Sequence, residues 1–151
     1  MFQIAHKERG LDFLPAAGTV VHLNVGFRAP VQIDAQRGWA FDEVTRRHGD
    51  YALVGVGCVL ELDDGRRARR LRLAACGISD RPVRLKAAET ALDGTALTSA
   101  DLDAAVRASA DAVTQTDDMN TSASYRRRVL GGLIRRLVAT AAQRARGGSR
   151  Q

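Results

Sequence analysis

Few residues in this sequence have the types and spacing that catalysis or metal binding requires. Cys58 and Cys76 are too few for a disulfide framework, and with the three histidines they show no ligand spacing such as C-x-x-C. The acidic pairs at 63–64 and 117–118 stand in a predicted hairpin turn and in a loop before a predicted helix. Carboxylates in such places usually serve as turn and capping residues. We therefore expect no metal site and no complete active site in this chain.

Glycine-rich phosphate-binding motifs do not occur either. A dinucleotide fingerprint starting at Gly55 and Gly57 would need a third glycine where Leu60 stands. No G-x-x-x-x-G-K-[ST] run is present. The pair Gly131-Gly132 lies inside a predicted helix, where we expect it to permit close packing. The sequence therefore provides no phosphate-binding loop of either kind.

The net charge of +6 is concentrated at one end of the chain. Residues 126–151 contain eight arginines and no acidic residue, whereas residues 1–125 carry 15 basic and 17 acidic side chains. Such a block could form a solvated helix face, dock on an acidic partner or bind nucleic acid. Since the arginines fall mostly opposite the apolar positions of the predicted final helix, we do not expect a strong nucleic-acid site.

Length and composition indicate one globular domain of ordinary size. The chain has 151 residues, of which 45% are hydrophobic and 26% are charged. A chain of this size can bury a core without metal or disulfide support. No apolar run approaches the roughly 20 residues of a membrane helix, and no signal-peptide pattern is visible at the N-terminus. We therefore expect a cytoplasmic protein with no membrane partner.

The elements that must position any site begin with strands. Alternation with a period of two predicts strands over 39–46, 51–62 and 66–78. On the second strand, every other residue from Ala52 to Leu62 is apolar, and the opposite face carries Gly55 and Gly57. A face made of small residues suits a closely packed helix, so we expect a helix to lie over these two glycines.

The turn between the second and third strands contains Asp63-Asp64-Gly65. Asp-Gly favours a type I′ hairpin, because both central residues of that turn need positive φ angles. Centring the turn on residues 64–65 pairs Cys58 with Leu71. Cys58 and Cys76 are then not opposite each other, and no disulfide is expected.

Helical periodicity follows the strands. We predict helices over about 83–93 with a stop at Gly94, from the capping-box residue Thr98 to about Thr114, and from about 121 to 146. Strands first and helices afterwards indicate an α+β fold with an antiparallel sheet.

Three parts of the chain can be distinguished. Residues 1–38 are interpreted as a linker-like or truncated N-terminal segment with a candidate edge strand over 19–27. Residues 39–146 form the predicted α+β domain. Residues 147–151 are expected to be a frayed tail.

Three runs, in a fixed order, carry a resemblance to a known family: FDEVTRRHGDYALV at 41–54, LAACGISDRPVR at 73–84 and YRRRVL at 125–130. Over about residues 39–145 they resemble the C-terminal domain of the FAD-binding medium subunit of molybdenum hydroxylases, the carbon monoxide dehydrogenase and xanthine dehydrogenase type. The resemblance implies about three antiparallel strands packed on three helices.

The same resemblance implies partners and cofactors. The family's medium subunit passes electrons between iron–sulfur clusters and FAD, and the molybdenum centre belongs to a separate large subunit. The glycine-rich loops that hold FAD lie upstream of this domain in the family. We therefore expect no FAD binding by this chain alone, FAD in the parent complex, and an FAD-binding domain or subunit, an iron–sulfur subunit and a molybdopterin subunit as partners.

Two residues are candidate flavin neighbours by this resemblance. In some members the position after the aromatic residue of the first strand approaches the flavin ring, and here that position is Asp42, not lysine. Arg46 could face the flavin domain or an iron–sulfur partner, or form a salt-bridged strand end. Tyr125 is expected to anchor the last helix with its ring in the core.

Two functions from different classes follow. The first is a non-catalytic docking domain in the flavoprotein subunit of a molybdenum hydroxylase-type oxidoreductase. The second is a stand-alone basic module whose arginine-rich final helix contacts nucleic acid or an acidic partner. Nucleic-acid binding by such a helix should be weak and steeply dependent on salt.

The apolar face of the second strand generates a test. Replacing Val56 with Asp should unfold the domain, because an unpaired carboxylate on that face would be buried without a partner. Circular dichroism during thermal melting measures the effect. Unchanged melting would show that the face is assigned wrongly.

Overall fold

The computed structural model describes residues 20–23, 27–30, 36–47, 50–119 and 121–147. In these ranges an α+β fold is observed, as predicted. The elements are β1 (Val20–Leu23), β2 (Phe27–Pro30), β3 (Arg37–Val44), β4 (Val54–Leu62), β5 (Ala68–Cys76), β6 (Val83–Arg84), α1 (Lys86–Leu92), α2 (Ser99–Ala108), a 3₁₀ turn (Ala110–Ala112) and α3 (Ala123–Gly147).

The strands form two antiparallel sheets. β3, β4, β5 and β6 make a four-stranded sheet in chain order, so the two-residue β6 adds a strand to the three that were expected. The candidate edge strand over 19–27 pairs elsewhere: β1 pairs with β2 in a separate two-stranded sheet, with Val20 opposite Pro30. Residues 1–19 and 148–151, on which the rest of the N-terminal and tail predictions fall, lie outside the described residues. Gly147 is the last residue of α3.

The turn between β4 and β5 is longer than the predicted type I′ hairpin. The Arg66 N–H donates to the Asp63 carbonyl oxygen at 2.8 Å, and the Asp63 N–H donates to that of Arg67 at 3.0 Å. The left-handed conformation falls on Arg66, with φ of 60°, and not on Asp64 and Gly65. The Asp63 carboxylate accepts the Arg67 N–H at 2.8 Å, and this side-chain bond favours the wider loop.

Register also differs from the prediction. Cys58 pairs with Leu73 instead of Leu71, because the longer turn shifts β5 and a bulge interrupts the pairing between Val59 and Glu61. Cys76 lies opposite Gly55, and both cysteines are free thiols, as expected.

The helix boundaries follow from local signals and strand pairing. α1 begins later than predicted because Val83–Arg84 pairs with β5 as β6. Gly94 ends the helical segment with φ of 71°, as predicted. Thr98 caps α2 in a reciprocal capping box with Asp101, also as predicted, but the helix ends at Ala108 and a 3₁₀ turn follows.

The core lies on one face of the four-stranded sheet. Every other residue of β4 faces it, and Val56 and Leu60 are fully buried there. The helices supply the opposite side of this core, mainly through these α3 residues: Leu130, Leu133, Ile134, Leu137, Val138, Ala141, Ala142 and Ala145. The predicted apolar face is therefore confirmed from Val54 to Leu62, whereas Ala52 packs on the opposite side of the sheet.

The expectation that a helix covers Gly55 and Gly57 was wrong. The helices pack on the branched apolar face, because burying larger apolar side chains removes more surface from water than burying glycine. On the side of the glycines, Ala74 and Cys76 form a small separate cluster with Ala52 and Val59, to which no described helix residue belongs.

Glycines set how closely α3 approaches its neighbours. A Cβ atom at Gly38 of β3 would lie 1.8 Å from the Ala141 carbonyl oxygen of α3. Gly131 is buried, and a Cβ there would meet Val106 Cγ1 of α2 at 2.9 Å, as expected for close packing. Gly132 faces open space, with nothing within 4 Å of its ideal Cβ.

Two glycine substitutions test this packing. Replacing Gly38 with Ala should destabilise the fold by about 3 kcal/mol or more, since the obstructing atoms belong to the α3 backbone. Replacing Gly132 with Ala is the matched control and should stabilise the protein by up to about 1 kcal/mol through helix propensity. Urea unfolding followed by far-UV circular dichroism measures both. Equal stabilities would rule out the close β3–α3 contact.

Candidate functional site

The guanidinium of Arg126, on the first turns of α3, is buried and hydrogen-bonded to three other parts of the chain. Only 5% of Arg126 is exposed. Its Nη1 donates to the carbonyl oxygens of Leu53 at 2.8 Å and Gly77 at 2.5 Å, and its Nη2 bonds Asp118 Oδ2 at 2.5 Å. Arg126 therefore joins the start of β4, the end of β5 and the loop before α3.

Glycine is required where these segments meet. Gly77 has φ of 74°, and a Cβ there would lie 2.3 Å from the Leu53 carbonyl oxygen. The two carbonyl groups can therefore converge on one guanidinium only because residue 77 has no side chain.

The burial of Arg126 was missed from the sequence, where the arginines of this helix were placed mostly on its exposed face. A signal was available: residue 126 precedes the buried Leu130 by four positions and so lies in the apolar stripe. Tyr125, expected in the core, is only half-buried, and Arg128 Cζ lies 5.2 Å from its ring centroid. The Arg126 guanidinium is thus buried and the Tyr125 ring is partly exposed, which is the reverse of the expectation.

The predicted acidic pairs act as turn and cap residues. Asp117 Oδ1 accepts the Ala123 N–H at the start of α3 at 2.7 Å. Asp118 Oδ1 accepts the Thr121 N–H at 2.8 Å. Neither pair is arranged as two catalytic carboxylates.

The two candidate flavin neighbours have different surroundings. The Asp42 carboxylate forms an ion pair with Arg136 of α3, and its Oδ1 also accepts the N–H of Glu43 at 2.7 Å. Arg46 lies beyond the end of β3, exposed, with its Nε 4.0 Å from Asp50 Oδ2. Asp42 thus faces the helical side of the sheet, and the structure does not bring the two side chains together.

Beside Asp42, a second contact ties the edge strand to α3. Arg144 Nη1 donates to the Trp39 carbonyl oxygen at 2.6 Å, and its Cζ lies 4.8 Å from the centroid of the Trp39 ring. A guanidinium over an indole face gains cation–π attraction, so this pair holds the Trp39 ring in one orientation.

Most arginines of α3 are engaged within the chain. Beyond Arg126, Arg136 and Arg144, Arg135 bonds Asp103 at 2.8 Å. The basic end of the sequence is therefore largely matched by acids, carbonyl groups and aromatic rings of the same chain. This arrangement gives no continuous row of free cations of the kind that phosphate-backbone binding uses.

The outer face of the sheet, opposite the helices, combines aromatic and small residues. The register sets Trp39 opposite Val59, and Phe41 opposite Gly57 and, one strand further, Ala74. Gly57 and Ala74 are buried, so the accessible part of this surface consists of Trp39, Phe41 and Val59. We call this surface, defined by these five residues, the outer face.

Nucleophilic and metal chemistry find no support in the described part of the chain. Burial raises the pKa of the Cys58 thiol and that of the Cys76 thiol, so both stay protonated at neutral pH. No three His, Cys, Asp or Glu side chains among the described residues are grouped to hold a metal ion. No described helix is long and apolar enough to span a membrane.

Comparison with known proteins identifies relatives of this chain. The family model described as CO dehydrogenase flavoprotein C-terminal domain matches residues 39–141. The 6-hydroxypseudooxynicotine dehydrogenase complex subunit alpha of Paenarthrobacter nicotinovorans is 35% identical over 115 residues, 76% of this chain and 39% of that protein. The carbon monoxide dehydrogenase medium chain of Afipia carboxidovorans is 33% identical over 110 residues, 72% of this chain and 38% of that protein.

Solved structures also align with most of this chain. Reconstituted CO dehydrogenase from Oligotropha carboxidovorans contains a chain that aligns with a TM-score of 0.71 and 29% identity, over 78% of this chain and 40% of that one. Quinoline 2-oxidoreductase from Pseudomonas putida 86 aligns with a TM-score of 0.66 and 27% identity, over 73% of this chain and 38% of its own. This chain therefore spans about two fifths of the length of these proteins.

Substitution of Arg126 tests whether its contacts with Leu53, Gly77 and Asp118, which we call the Arg126 junction, stabilise the fold. Replacing Arg126 with Met should cost about 3 kcal/mol or more, because two carbonyl groups lose their donor and Asp118 loses an ion pair. Arg126→Lys keeps the charge with fewer donors and should lose less. The neighbouring exposed Arg127→Met is the control and should change stability by less than about 0.5 kcal/mol. Urea unfolding compares the three, and equal losses at 126 and 127 would refute the junction.

Proposed function

Because this chain belongs to the family of CO dehydrogenase flavoprotein C-terminal domains, we propose that it is the non-catalytic docking domain of a flavoprotein subunit in a molybdenum hydroxylase-type oxidoreductase. The family match over residues 39–141 carries this proposal, since that segment holds β4, β5, β6, α1, α2 and most of β3 and α3. The activity of the complex resides in its other domains and subunits. The chain's task is to dock beside the FAD domain and the iron–sulfur and molybdopterin subunits during electron transfer in the cytoplasm.

The outer face is the surface we propose for docking on the FAD domain. The helices already occupy the other side of the sheet, where the core is buried. Trp39 is 36% exposed and its ring is held by Arg144. A pre-oriented aromatic residue beside the partly exposed Phe41 and Val59 suits an interface, because little side-chain entropy is lost on contact.

The residues of this face fit the covering of a flat ring better than the holding of a dinucleotide. Trp39 and Phe41 offer aromatic surface, whereas the described residues include no glycine-rich loop at a helix N-terminus for a diphosphate. FAD, bound by its own domain, supplies the electron-transfer chemistry of the complex. This chain would exclude water from one side of the flavin site.

Asp42 and Arg46, the two flavin neighbours expected from the sequence, have distinct tasks in this proposal. Asp42 acts through Arg136, since that ion pair holds β3 on α3 and so positions the aromatic residues of the strand. Arg46 is the more accessible of the two and would meet the flavin domain or an iron–sulfur partner directly. The alternative of a stand-alone basic module receives no support from the family match, and the arginine pairing within α3 speaks against it.

Isolation of the affinity-tagged chain from its native cells tests the proposal. We expect larger subunits to co-purify, with flavin and iron–sulfur absorbance in the visible spectrum. Trp39→Glu should reduce the flavin recovered by about tenfold, since a charge would be buried in the docking face. The new carboxylate can pair with Arg144, so the fold should be retained.

Met119→Glu is the matched control, because Met119 is fully exposed in the loop before α3. It should leave flavin recovery unchanged, and thermal melting of both variants checks folding. A colourless wild-type chain that elutes alone would contradict the proposed function. Equal recovery with both folded variants would contradict the assignment of the outer face.

A further inference from the structure

An arginine-rich groove lies at the edge of the main sheet, where β5 runs past α1. Its volume is about 320 Å³. Arg69, Arg70 and Arg72 line it from β5, and Glu89, Thr90 and Asp93 line it from α1 and its C-terminal end. We call the three β5 residues the arginine triad.

The triad spans a gap in the pairing of the sheet edge. At one end of the gap, Ala68 exchanges backbone hydrogen bonds with Gly94 and Thr95, both at 2.8 Å. At the other end, the Leu73 carbonyl oxygen accepts the Leu85 N–H at 3.0 Å. β6 pairs only with Ala74 and Ala75, so no described strand covers residues 69–72. The unpaired edge is four residues long, which is room for a short extended segment.

The acids near the groove do not neutralise the triad. Glu89 is buried, with its carboxylate bound by Arg84 and by the Leu73 N–H at 2.9 Å. Arg69 contacts no acid among the described residues. Among the same residues, the Arg72 side chain donates only to the Leu71 carbonyl oxygen, at 2.9 Å. The groove therefore presents an excess of positive charge, opposed mainly by Asp93.

The second member of the triad has an unusual backbone. Arg70 stands at the bulge of β5 with φ of 49°, a left-handed conformation that costs a residue with a side chain more than it costs glycine. Its Nη1 lies 3.6 Å from Glu61 Oε2, a carboxylate that Arg37 already binds at 2.6 Å. Folding alone would favour glycine here, so the arginine is consistent with a demand for its guanidinium.

We propose that this groove docks an extended acidic segment of a partner subunit, whose carboxylates bind the arginine triad. Guanidinium groups pair with carboxylates through two parallel hydrogen bonds, which gives orientation as well as attraction. The groove is short, which suits a few carboxylates better than a long phosphate backbone. The inference rests on the proposed function, since the partner is taken to be a subunit of the same complex.

Titration calorimetry of the full chain with synthetic hexaglutamate tests the groove without any partner subunit. We expect hexaglutamate to bind at low salt and to weaken as salt rises. The variant R69A/R70A/R72A should lose about tenfold in affinity. The variant R107A/R127A/R146A removes the same charge from exposed helix arginines that have no partner in the described part of the chain, and it should lose less than about twofold.

A single substitution separates recognition from folding. Arg70→Gly relieves the left-handed backbone, so its melting temperature should not fall below that of the wild type. Its affinity for hexaglutamate should nevertheless fall. Retained affinity with Arg70→Gly would remove Arg70 from the proposed site.

Three results would overturn the proposal. The first is an absence of hexaglutamate binding, and the second is an equal loss in both triple variants. The third is inorganic phosphate that displaces hexaglutamate and depends on the same triad, which would make the groove a phosphoryl site. Flavin recovery with the tagged chain is a separate measurement, so failure of the groove and failure of the proposed function are distinguishable.

Discussion

The buried guanidinium of Arg126 is the interaction on which the geometry of the domain depends. It holds two carbonyl groups from neighbouring strands and a carboxylate from the loop before α3. The cost of burying this charge is offset only while all three acceptors stay in place. The first turns of α3 are therefore fixed on one end of the sheet, and the rest of the helix is directed across the apolar face of β4.

Glycine determines what happens further along the helix. Gly38 lets the α3 backbone contact β3 directly, and the Asp42–Arg136 and Trp39–Arg144 pairs follow along the same edge. Apolar burial holds the layers together, and these polar contacts set the angle and position of the helix. The orientation of Trp39, and with it the proposed docking face, is a consequence of how α3 lies on β3.

The arginines of this chain serve two different purposes. Those of α3 mostly contact groups of the same chain, as the Arg126, Arg135 and Arg136 pairs show. Those at residues 69, 70 and 72 lie in the unpaired stretch of the sheet edge, and acidic side chains neutralise them only in part. Net charge alone does not separate these uses, because it depends on the count of arginines and not on their neighbours.

Local patterns in the sequence determined the α+β class, the apolar face of β4, the capping box at Thr98, the stop at Gly94 and the capping aspartates before α3. Each depends on residues close in the chain, where alternation, helical spacing and side-chain caps act. The family motifs likewise pointed to the domain type. Only the tertiary structure decided that Arg126 is buried, that the helices cover the branched face and not the glycines, and that a longer turn and a bulge together shift β5 by two residues. These outcomes depend on which distant acceptors, faces and strand edges meet, and the free energy of those contacts is set by packing that no local pattern contains.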